Sequence, residues 1–239
     1  SSSSSSSSSK KCAAALLLDT VTWRVEASVG QQPKALLLDA ARTGQLHVSG
    51  FDTQGRPVVV YSPTSEADCP VWLAVLWLVY NLERAIALGE AGAGPQGKVS
   101  PQYTFVITFA RTGVPPMKTV RACLELFGKH YPGRSGPILL CHGGTVSAWV
   151  ARWLKPLAPP HQRDKLKLVS AKEDRSGFMA TLVEPGQLEP RFGGGTSTFS
   201  FDPEVYLADY KPVDPADYLA TNLAYLNQDD GRSIVGIKI

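Results

Sequence analysis

The sequence predicts an α/β fold, a sheet with crossover helices, and two observations point there. Strand-like and helix-like stretches alternate along the chain. Several of the strand-like stretches are short unbroken apolar runs, which mark strands covered on both faces. The clearest unit lies between Tyr131 and Lys165. Ile138, Leu139, Leu140 and Cys141 sit between Gly136-Pro137 and Gly143-Gly144, which predicts a central strand ending in a glycine turn. Beyond the turn, Val146, Trp149, Val150, Trp153, Leu154 and Leu157 recur at helical spacing, and Ser147, Arg152 and Lys155 fall on the other faces. Pro156, Pro159 and Pro160 cannot continue a helix, so this one is expected to end near Lys155.

The remaining elements follow in order. Residues 12–26 read as an amphipathic helix with Leu16, Leu17, Thr20, Val21 and Trp23 available to pack. Pro33 to Arg42 reads as a second short helix, opened by proline and stopped by Gly44. Val58-Val59-Val60-Tyr61, β-branched and preceded by a Gln54-Gly55 turn, is a strand. Asp68 and Pro70 open a helix to about Gly89, with Trp72, Val75, Leu76, Val79 and Leu82 toward the core and Glu83 and Arg84 toward water. A polar, glycine-rich loop at 91–100 leads to a strand from Thr104 to Phe109. A helix from about Pro115 to His130 follows, with Lys118, Arg121, Glu125 and Lys129 wet and Val120, Leu124 and Phe127 dry. Leu166 to Val169 is a further strand and 174–184 a further helix. The strands near 57–61, 104–109, 137–141 and 166–169 are expected to share one sheet. Residues 201–239, rich in Asp, Tyr and Pro, read as an extended wrapping tail.

Composition bounds the function. A chain of 239 residues with 44% hydrophobic content supports one sizeable core with appendages. The net charge of +3 and pI near 8.6 come without any block of like charges, so nucleic-acid binding is not implied. Cysteines 12, 69, 123 and 141 have no short paired spacing, which argues against a disulfide scaffold or a zinc site and for a reducing compartment. No metal or cofactor is expected. The longest apolar run, Val71 to Tyr80, is about half the roughly 20 residues that cross a membrane. The serine run at 1–9 is low complexity and lacks the apolar core of a secretory signal.

The ordered motifs resemble a known family, the CRAL-TRIO lipid-binding domains. Tyr131-Pro132 with Arg134, the strand at 138–140, Lys155-Pro156 and Lys165-Leu166 are similar to its Tyr-Pro-Glu-Arg, strand, Lys-Pro and Lys-Ile series. Leu188-Glu189-Pro190-Arg191-Phe192-Gly193-Gly194 resembles its closing motif, and Asp52 to Val58 its opening strand. The resemblance spans about residues 50–200. It implies a mixed, mainly parallel sheet flanked by crossover helices and enclosing an apolar lipid cavity. It also implies a division into a serine-rich segment (1–11), a remnant of an N-terminal helical domain (12–45), the lipid-binding domain (46–200) and the C-terminal tail (201–239).

The resemblance further implies a function: binding a hydrophobic or phospholipid ligand and transferring or presenting it at membranes, in a cytoplasmic protein that is peripheral at membranes. The helix after residue 145 matches the family's movable gate. Spacing alone leaves Trp149 and Trp153 open to a plain core role; the resemblance places them, with Leu157, on the ligand side. Phe105, Ile107 and Phe109, alternate residues of the facing strand, are expected to line the cavity. Phosphatidylinositol-binding members use a glutamate, a small hydroxyl residue and a lysine at positions held here by Gly133, Gln162 and Lys165, leaving Lys165 as the candidate phosphate contact. The alternative is a non-catalytic interaction or scaffold module, with the tail from Phe201 meeting a protein partner. Enzymatic readings are weaker. Cys141 and His142 point to opposite faces of a strand, and no nucleophile elbow, Walker loop or carboxylate pair is present.

Overall fold

The computed structural model describes residues 16, 18–24, 26–64, 69–109, 116–142, 148, 150–152, 155–156, 163–170, 172–173, 177–183, 186–192 and 201–211. Its frame is a five-stranded sheet of order β1-β2-β3-β4-β5, made of β1 (Leu46–Phe51), β2 (Pro57–Tyr61), β3 (Tyr103–Thr108), β4 (Ser135–Cys141) and β5 (Leu166–Leu168). β1 runs antiparallel to β2, and every later pairing is parallel. The four expected strands therefore share one mixed, mainly parallel sheet. β3 takes the centre, with β4 beside it.

The register carries the alternation of faces across the sheet: Val59 lies beside Phe105, Phe105 beside Ile138, and Ile138 beside Leu166. Even-numbered residues of β2 and β3 turn the other way. Val58, Val60 and Val106 join Leu139, Cys141, Met179, Val183, Leu188 and Phe192 in a core on the back of the sheet. The helices α2 (Lys34–Ala41), α3 (Val71–Glu90) and α4 (Met117–His130) cover the front. The helical residues between 16 and 26, α1, dock there through Trp23, which stacks on His130 with ring centroids 4.1 Å apart.

Several expectations are corrected. The stretch Asp52 to Val58 is strand only from Pro57, where β2 begins; residues 52–56 are the turn that joins it to β1. The Asp52 carboxylate accepts from the Gln54 and Arg56 amides at 2.9 Å and from Thr104 Oγ1 at 2.7 Å, which folds the segment back. Gly55 has φ +79°, and a Cβ there would come within 2.5 Å of Lys98 Cβ. The strand before that turn, β1, was not expected. Leu16 and Val21 are more than half exposed rather than packed. On α3 the fully packed residues include Trp77, Leu78, Tyr80 and Asn81, while Trp72 and Leu76 are half-buried. Glu83 is paired rather than hydrated: it receives Arg24 and the Tyr131 hydroxyl.

By length and composition α3 is apolar enough to cross a membrane, contrary to the reading of its shorter apolar run. Its apolar face is packed against β1, β2 and α2, as expected of a core helix. The helix expected at 174–184 is described only as Phe178–Leu182, with 174–176 and 184 outside the described residues. The tail forms a short helix, Pro203–Tyr206, capped by Asp202. Residues 212–239 lie outside the described part.

Candidate functional site

A cavity of about 140 Å³ lies between the front of the sheet and the helices. Its floor is Tyr61 from β2, Phe105 and Ile107 from β3 with Phe109 just beyond, Ile138 from β4 and Leu166 from β5. The parity of a strand explains this set, because every second side chain faces the same way. The register brings four strands into line.

Two helices form the walls, each by a different part of its surface. α4 packs Ala122 and Leu126 into the solid core, whereas Val120, Cys123, Leu124 and Phe127 are turned to the cavity and stay half-buried. Phe127 meets Phe105 edge-on at 5.6 Å between centroids. From α3 come Ala74, Trp77 and Leu78. Trp77 is held in place by its indole N–H, which donates to Leu46 O at 2.8 Å, and by stacking on Tyr80. A third wall is Val150, which with Ala151 packs on Phe109 and Leu140 in a small separate cluster.

Electrostatically the cavity is bare: among the described residues, no charged side chain lines it. Burial pushes the Cys123 thiol up to about 12 and raises the Tyr61 phenol as well, with Cys123 and Cys69 adding smaller effects on the phenol. Both groups are neutral at physiological pH, so the site offers apolar surface and a few uncharged polar groups. No group of His, Cys, Asp or Glu among the described residues could hold a metal.

Of the residues singled out in the sequence, the structure brings Phe105, Ile107 and Phe109 together on the cavity floor. Trp149, Trp153 and Leu157 lie outside the described residues. Around them 148, 150–152 and 155–156 are helical. Lys165 does not reach into the cavity; its ammonium donates to Ser135 O at 2.5 Å. Sequence reasoning missed Tyr61, Gln45, Trp77 and Cys123. Strand parity carried across the sheet would have found Tyr61 and Ile138, but the helical contributors depend on packing angles that no local pattern displays.

The expected placement of Cys141 and His142 on opposite faces is corrected: His142 lies past the end of β4, and its ring meets Thr108 and Phe192 on the back of the sheet, the side that also holds Cys141. Cys141 is fully buried on the back of the sheet, 3.9 Å from Met179 Sδ. His142 has φ +55°, meets Thr108 Oγ1 through Nδ1 at 2.8 Å and stacks on Phe192.

Against known proteins, the chain matches the model of the CRAL/TRIO domain over residues 41–194. It is 25% identical over 193 residues to a CRAL-TRIO domain-containing protein of Schizosaccharomyces pombe, a match covering 80% of this chain and 18% of that protein. It is also 25% identical over 211 residues to phosphatidylinositol transfer protein PDR17 of Saccharomyces cerevisiae, covering 83% of this chain and 57% of that one. The chain thus spans only part of the length of either relative. Its fold is similar to the crystal structure of Sfh5, with a TM-score of 0.61 at 15% identity over 88% of this chain and 77% of that chain.

Proposed function

This chain belongs to the CRAL/TRIO domain family, and from that premise we propose that it binds a hydrophobic or phospholipid ligand in the cavity and transfers or presents it at membranes. The observation that carries this reading is the cavity itself, an apolar chamber within the fold with no charged side chain among its described lining residues. Each CH₂ taken from water into such a site contributes roughly 0.8 kcal/mol, so an alkyl chain is held without any catalytic group. The similarity to a phosphatidylinositol transfer protein of Saccharomyces cerevisiae supports a phospholipid as one candidate. Gly133 and Gln162 stand in the sequence where phosphatidylinositol-binding members carry a glutamate and a small hydroxyl residue, and Lys165 is engaged with Ser135 O, which speaks against a phosphate site of the family's kind.

Loading requires a wall to move. Ligand pockets commonly measure about 300–1,000 Å³, well above the present 140 Å³. The segment after residue 145 is the wall we assign as the gate, because among the described residues Val150 and Ala151 pack in a small cluster with Phe109 and Leu140 rather than in the main core. Its tryptophans suit a bilayer interface, where an apolar ring with a polar N–H is favoured. Membrane contact and ligand exchange are then one event, at the cytoplasmic face.

Transfer between phosphatidylcholine vesicles tests this reading. Trp153→Asp should weaken lipid loading and vesicle binding by far more than Arg152→Asp on the exposed side of the same segment, with both proteins folded. Equal effects of the two changes, or no lipid uptake by the wild type, would favour the scaffold reading.

A further inference from the structure

One end of the cavity differs from the rest. Where β1 and β2 meet, Thr43, Gln45, Tyr61 and Cys69 contribute to the lining. The ends are tied together, since Leu46 pairs with Tyr61 and the Ser62 amide donates to Gln45 O at 2.6 Å. Thr43 is already engaged, donating to Ala40 O. Tyr61 is not: its hydroxyl makes no hydrogen bond among the described residues, while its ring lies on the floor beside Ile107. A donor placed in apolar surroundings and left unpaired is a cost that an incoming acceptor removes. An ionised group is disfavoured in that place, because among the described lining residues no side chain would balance its charge and offset its desolvation.

We propose that the buried end of the ligand is an uncharged oxygen function, a hydroxyl, carbonyl or ester, which accepts a hydrogen bond from Tyr61, and that Tyr61 selects such lipids over hydrocarbons and over lipids with an ionised phosphate inside the cavity. Gln45 is the second polar side chain at that end and can pair with the remaining lone pair or proton of the oxygen. The raised phenol fits this role, since it stays protonated and donating throughout the physiological range. The inference rests on the proposed lipid cavity and goes beyond it in naming the chemistry of the buried end.

Decan-1-ol, decane and decyl phosphate share one chain and differ only at its end, so loading the purified chain with each and measuring the bound amount by mass spectrometry isolates that end. Wild type should load the alcohol best and the phosphate least. Tyr61→Phe should cut the alcohol-to-alkane ratio by about 3- to 10-fold, with circular dichroism and the urea midpoint compared with wild type to show that the variant is folded. An unchanged ratio in Tyr61→Phe, or preferential loading of decyl phosphate by the wild type, overturns the inference while the lipid cavity stands. Uptake of none of the three overturns the lipid cavity and this inference with it.

Discussion

Glu83 on α3 receives both terminal guanidinium nitrogens of Arg24, each at 2.7 Å, and so ties α1 to the core. The same carboxylate accepts from the Tyr131 hydroxyl, also at 2.7 Å. The geometry is a bidentate fork, and the carboxylate beside Arg24 raises its already high pKa. Glu83→Ala leaves a buried phenol and a guanidinium without their acceptor. Because Arg24 is partly solvated, the expected loss is about 1–3 kcal/mol, with Glu83→Gln costing less. Urea denaturation measures the loss, and hydrogen exchange in residues 16–26 should accelerate in the same variant.

Tyr206 plays the matching part at the other end of the chain. Its hydroxyl accepts from the Val48 amide at 2.9 Å and donates to Asn81 Oδ1 at 2.7 Å, and Arg84 lies over its ring. Nearby Leu207 is fully buried. Tyr206→Phe should therefore destabilise by about 1–2 kcal/mol, and removal of residues 201–239 should cost more than that. Equal urea midpoints for the truncated and intact chains would show that the segment contributes nothing to the fold.

Cys141 is expected to be structural. Replacing it by serine puts a hydroxyl among Val106, Met179 and Val183, at an expected cost of about 1–3 kcal/mol. Lipid loading should be unchanged, since the residue faces away from the cavity. Loss of a hydrolytic turnover in Cys141→Ser or His142→Ala, without loss of fold, would contradict the structural role.

Alkaline pH should unfold the chain early. Burial raises the phenols of Tyr61, Tyr103, Tyr131 and Tyr206 above their usual value of 10, and the Cys123 thiol from 9 to about 12. The Glu83 carboxylate raises Tyr131 further. Raised folded values mean that the unfolded chain releases protons the native one still holds. Stability is thus fully present below about pH 8.5 and declines from there by roughly 1.4 kcal/mol per pH unit for each proton retained. Tyrosine absorbance at 295 nm should rise in one cooperative step together with loss of helical circular dichroism. Gradual ionisation near pH 10 with the fold intact would contradict the burial of these groups.

How much of this was legible depends on whether an element's partners lie nearby in sequence. β3 and β4 are buried on both faces, and their unbroken apolar runs reveal them. β1 hides, because two of its inward residues are polar: His47 pairs with Glu189 at 2.9 Å across 142 positions and stacks on Phe201, and Ser49 is buried as well. Glu83 reads as a wet helical position until Arg24 and Tyr131 arrive from other elements. Strand parity was enough to place Phe105, Ile107 and Phe109 on one face. The Tyr61 end of the chamber needs the β1–β2 hairpin and α2 in place before it exists at all. Lys165, which the resemblance made the candidate phosphate contact, has its ammonium engaged with a backbone carbonyl, a contact between β4 and the start of β5 that no local pattern displays.

The central claim is that the chamber between sheet and helices holds a lipid. Extracting the natively purified chain and analysing the extract by mass spectrometry, with thermal unfolding recorded on the same sample before and after delipidation, tests it most directly. The account predicts a hydrophobic molecule in near-stoichiometric amount and a lower unfolding temperature once it is removed. A stable chain that carries no lipid, and takes up none from vesicles, would contradict it.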